Sequence, residues 1–129
     1  MNLFLKAPDT LFQQIEAIVT KRPNLLKADN WHELKSGREA FTDEQIHDPD
    51  TAHCLFGWVV ALVPRAAEFE HCRQDVPEYV NQILTDNGRK PLPKMLAHSD
   101  EESMLKVIKM RADAERLSAM TKLRDFHIN

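Results

Sequence analysis

The chain has 129 residues, enough for one domain that buries roughly two thirds of the surface its unfolded form exposes. With 43% apolar and 29% charged residues, three glycines and a formal net charge of -3, the composition is that of a folded globular protein. It excludes collagen-like and low-complexity chains and gives no global attraction to nucleic acid or to an anionic membrane.

Asp9 is the expected N-cap of a first helix, in which Leu11, Phe12, Ile15, Ile18 and Val19 recur at the spacing of one helical face until Pro23 stops it. From Asn24 to Asp50 the apolar residues thin out, and short turns packed down by Trp31 are expected. Asp48, Pro49, Asp50 and Thr51 then supply cap and first-turn chemistry for CLFGWVVALV, a helix apolar on every side and therefore central, spanning Thr51 to Val63. This longest apolar run, Cys54 to Val63, is about half of the ~20 residues needed to cross a bilayer. A short helix over RAAEFEHCRQ follows. Asp75 is placed to cap the next, whose Val76, Tyr79, Val80, Ile83 and Leu84 form one face and whose Gly88 is a natural stop. The connector RKPLPKMLAH is expected to be held by Leu92, Met95 and Leu96. Ser99 and Glu102 match a capping box, so the last helix is expected to start there, with Met104, Leu105, Ile108 and Ala112 as its core stripe.

Two cysteines make no disulfide framework, and the apolar run at the start, Leu3 to Leu5, is too short for a secretory leader. The expected setting is the cytoplasm, with reduced thiols. Trp31, then CLFGW at Cys54 to Trp58, then AHSDEESMLKVI at Ala97 to Ile108 resemble, in that order, the features of a group of small uncharacterised bacterial and phage-associated proteins. That group carries a Cys-x-x-Gly helix start and, later, a Trp-Asn-Asp-like turn before an amphipathic helix; here the turn is His98, Ser99 and Asp100. The resemblance runs from Trp31 to Ala112 and implies a helical domain, with no activity to carry across.

The residues with metal or nucleophile chemistry are His53-Cys54 and His71-Cys72, with His47 just upstream. Zinc takes thiolate and imidazole in tetrahedral sets, but adjacent residues on a helix point about 100 degrees apart and neither Cys-x-x-Cys nor His-x-x-x-His occurs. The expectation is small buried thiols and no cofactor. As a nucleophile, Cys54 would gain from a helix N-terminus and from His53, while burial beside Leu55, Phe56 and Trp58 opposes ionisation. No Gly-rich phosphate loop, Gly-x-Ser-x-Gly elbow or dinucleotide fingerprint is present.

The final helix carries Lys106, Lys109, Arg111, Arg116, Lys122 and Arg124, which do not fall on one narrow stripe, so nucleic-acid binding is not favoured. Leu117, Met120, Leu123 and Phe126 recur every three residues and form a broad apolar swath, expected to pack on the domain itself in preference to meeting a partner or a second copy. The expected architecture is a single all-α domain over 1–129, a compact bundle of four or five helices around the central one, with 113–129 extending the last helix. The expected role is a small protein-binding or adaptor module, with catalysis left open but less favoured than binding, a protein partner or self-association, and no membrane. The alternatives are a Cys/His metal or thiol-dependent protein, and a nucleic-acid-associated protein acting through the basic last helix.

Overall fold

The computed structural model of the chain describes residues 5–28, 43–70 and 75–128, with all side chains in them other than those at 43, 45, 70 and 123–128. The elements are α1 (Leu11–Lys21), α2 (Asp43–Ile46), α3 (Leu55–Leu62), α4 (Ala66–Glu70), α5 (Val76–Asp86) and α6 (Glu101–Ile128), with 3-10 turns at Pro23–Leu25 and Lys94–His98. Among the described residues there is no strand, and one isolated parallel bridge joins Leu26 to His53. The fold is all-α, as the periodicity predicts.

Every residue of α3 from Leu55 to Ala61 is buried. An apolar run of this kind has no face to give to water, and α3 packs on α1, α4 and α5. Its start differs from the sequence expectation. Thr51 is not the cap, because the chain at His53 is drawn out into the bridge: His53 N–H donates to the Leu25 carbonyl at 3.0 Å and its own carbonyl accepts from Lys27 N–H at 2.9 Å. Extended backbone cannot also be helical, so the helix begins after Cys54, whose Sγ accepts the Gly57 N–H at 3.4 Å. The indole N–H of Trp58 reaches the same Leu25 carbonyl at 2.9 Å and ties the first 3-10 turn to the core. The role expected for Trp31 falls outside the described residues.

Leu11, Phe12, Ile15 and Val19 are buried along α1, which packs against α6. There the buried stripe is Met104, Ile108 and Ala112, while Leu105 is 41% exposed. Burying a side chain of this size contributes roughly 1.5–3 kcal/mol. The cap of α6 is Asp100, whose Oδ1 accepts Ser103 N–H at 2.8 Å. That bond holds its carboxyl below the usual carboxylate range. Ser99, expected as the cap, is spent on the turn before it: its N–H and its hydroxyl both donate to the Leu96 carbonyl.

α5 starts at the predicted cap, Asp75, which accepts Glu78 N–H. It ends at Gly88 with φ 73, a conformation that costs glycine little. Arg89 N–H returns to the Leu84 carbonyl and Gly88 N–H to that of Thr85, the two bonds of a Schellman closure. The Asn81 amide then pairs with both the N–H and the carbonyl of Leu92, fixing the proline-rich connector. The chain before α1 is held in the same way by Asn87, which accepts from Ala7 N–H and donates to the Leu5 carbonyl.

Candidate functional site

The residues singled out for metal or thiol chemistry are not brought together. Cys54 is 1% exposed and spends its sulfur on capping α3. His53 is fully buried, its ring edge-on to Trp58 with centroids 4.6 Å apart. His47 donates from Nδ1 to the Ala61 carbonyl at 2.6 Å. His71 and Cys72 lie outside the described residues. Among the described residues no group of three or more His, Cys, Asp or Glu side chains is placed to share an ion. With Sγ enclosed by the start of α3, Cys54 should contribute nothing to native thiol reactivity: the chain and its Cys54→Ser variant should titrate alike with a chromogenic disulfide until urea unfolds them. A difference of one fast-reacting thiol in the native state would contradict the buried cap.

Charged chemistry gathers elsewhere. The first turn of α1, the turn after α5 and the middle of α6 surround an open groove of about 640 Å³. At its edge α1 has no cap of its own: the Asp9 expectation fails, Thr10 occupies the position, and its side chain makes no cap bond. The missing acceptor arrives from α6. Glu115 takes Phe12 N–H on one carboxylate oxygen and Gln13 N–H on the other, both at 2.9 Å. A carboxylate there satisfies orphan N–H groups and complements the helix dipole. Arg89, delivered by the Gly88 closure, pairs with the same carboxylate and donates to the Pro8 carbonyl. The pair is 17% and 7% exposed.

Arg111 stands one turn before Glu115 and donates from both terminal nitrogens to the carbonyls of Lys90 and Pro91. The Arg89 and Arg111 guanidinium carbons lie 5.9 and 5.7 Å from the centre of the Phe12 ring, within cation–π range. Burial first, and the Arg89 charge second, hold Arg111 below the usual guanidinium value. Sequence reasoning placed Phe12 in the core and Arg111 on the basic helix, but missed Glu115 and Arg89. The signal for Glu115 was present: it continues the stripe of Met104, Ile108 and Ala112, where a lone carboxylate needs a buried partner.

α6 runs for 28 residues, about 42 Å at 1.5 Å per residue. From Arg116 to Lys122 every residue is exposed. Leu117 is 65% and Met120 67% exposed, so of the two readings of the apolar swath these residues do not take the intramolecular one. Leu123 and Phe126 continue the helix, their side chains outside the described residues. Of the six basic residues, Arg116 pairs with Glu16 and Asp113, Lys106 lies 3.9 Å from Glu102, and Arg111 is held by main-chain carbonyls.

Fold and site together define a small all-α protein with an overrunning, half-apolar last helix and a cation-lined groove beside it. No family model matches the chain, and no curated protein or solved structure matches it either. Among the described residues no helix is long and apolar enough to cross a membrane.

Proposed function

We propose that the protein is a small protein-binding module of the cytoplasm that offers the outer part of α6 to a partner. The observation that carries this is the exposure of Leu117 and Met120 on a helix that overruns the domain. Most helical stability in proteins comes from packing an apolar face and not from propensity. The part of α6 beyond Glu115 takes no core packing between Arg116 and Lys122, so a partner surface supplies what the domain does not. Large apolar side chains grouped on one stretch of surface mark interaction sites more often than accidents.

The reading is tested by affinity capture from cell extract with the tagged chain and its Leu117→Asp/Met120→Asp variant. Both positions are exposed, so the variant's Tm should stay within about 2 °C of the parent, since surface changes usually stay within ±0.5 kcal/mol. A discrete protein held by the parent and lost from the variant is the expected result. Identical captured sets would reject the outer face of α6 as the contact. A parent mass of two chains by light scattering, reduced to one in the variant, would make the partner a second copy.

A further inference from the structure

The groove beside the outer face of α6 has a charge pattern that its own fold does not use up. It is lined by four cations, Arg89, Lys90, Arg111 and Lys122, and by two carboxylates, Asp9 and Glu115. Glu115 is committed: its oxygens hold the α1 N–H groups and Arg89. Lys90, Arg111 and Lys122 therefore face Asp9 alone across the groove, and the local excess is positive although the whole chain is negative. Arg111 is oriented by two carbonyls, which fix its plane but leave its charge unbalanced. Ala114 and Met110, the latter 70% exposed, line the same groove.

We infer that the groove takes an acidic segment of another protein, its carboxylates set against Lys90, Arg111 and Lys122 and an apolar side chain laid on Met110 and Ala114. The occupant is argued from charge complementarity, because potentials of opposite sign select and steer a partner across an interface. A carboxylate beside Arg111 would offset the desolvation and the Arg89 repulsion that depress its proton affinity. Nucleic acid fits less well. Affinity for a phosphate backbone grows with the number of cations set along it, whereas this groove offers three and adds Met110 and Ala114, which suit an apolar side chain and not a phosphate. The inference deepens the reading of α6 as a docking surface and rests on it in one respect, that the partner chain lies along this helix.

The test is fluorescence anisotropy with a labelled amphipathic helical peptide of glutamate and leucine, at protein concentrations up to about 1 mM so that weak binding registers. The same peptide with lysine for glutamate, and an oligothymidylate, serve as comparisons. Three proteins are used: the parent chain, Lys90→Glu/Lys122→Glu, and Leu117→Asp/Met120→Asp. Both lysines are exposed, so matched thermal melts establish that the charge variant is folded. The glutamate peptide should bind the parent in a salt-sensitive way and the lysine variant about tenfold or more weakly, a loss of about 1.4 kcal/mol. The lysine peptide should not bind. No binding of the glutamate peptide to the parent, or equal binding to the lysine variant, overturns the acidic-segment inference and leaves the Leu117/Met120 capture result standing on its own. Tighter binding of the thymidylate than of the peptide overturns it in favour of a phosphate ligand. Peptide binding that depends on Lys90 and Lys122 but is indifferent to Leu117→Asp/Met120→Asp supports the groove even if the outer-face capture fails.

Discussion

Glu115→Ala is expected to destabilise the folded chain by about 3–5 kcal/mol, the range for removing one partner from a buried ion pair. The Glu115 side chain is 7% exposed and serves three groups: two N–H donors at the start of α1 and the Arg89 guanidinium. Truncation strips α1 of its cap and leaves Arg89 with the Pro8 carbonyl, a neutral acceptor for a largely enclosed charge. It also loosens the contact between α1 and α6. A fall in Tm of roughly 10–20 °C is expected for a domain of this size. Glu115→Gln should cost less, since its amide oxygen can still accept from one N–H. Small carboxylates provide the discriminating measurement: formate should raise the Tm of Glu115→Ala more than chloride at the same ionic strength, and should do little to the parent. A Glu115→Ala variant that melts within a few degrees of the parent would mean that α1 and α6 are not joined through this carboxylate.

What the sequence made legible was local. A ten-residue run with almost no polar side chain implied a buried α3, and three-four spacing placed Leu11, Phe12, Ile15 and Val19 on one face of α1. Asp75 and Gly88 bracket α5 as expected, because the signals for those caps sit within four residues of the bonds they make. The helix starts that failed are those decided from afar. Thr51 loses its role because Leu25 and Lys27 draw His53 into a bridge. Asp9 loses its role to a carboxylate more than a hundred positions away. Ser99 could serve the helix or the preceding 3-10 turn, and pattern matching has no means of ranking the two. The candidate site divides along the same line. Leu117 and Met120 were legible as apolar residues needing cover, whereas the groove exists only where the α5 turn meets α6, a tertiary event that spacing along the chain does not encode.

Trp58→Ala should be the comparable loss within the core, about 3–5 kcal/mol, as is usual when a large aromatic is cut back to a methyl group. Trp58 is 2% exposed, and its ring has two duties: it fills the space beside His53, and its N–H holds the Leu25 carbonyl. The second duty can be isolated. The Leu25 carbonyl also accepts the His53 N–H, so Trp58→Phe removes one of two donors and leaves the acceptor satisfied. Leaving no buried polar group orphaned keeps the cost of that change to about 1 kcal/mol, plus the volume lost between indole and phenyl. Trp58→Ala opens the core next to the Cys54 cap and unpins the turn at Pro23–Leu25, so local opening should precede global unfolding. Thiol titration reads this directly. At a urea concentration where the parent remains native, Cys54 should react measurably faster in Trp58→Ala than in the parent, and Trp58→Phe should follow the parent. Equal Cys54 rates in all three proteins would show that the His53–Trp58 contact does not guard the start of α3, and a Trp58→Phe variant as unstable as Trp58→Ala would assign the energy to the indole hydrogen bond instead of to packing.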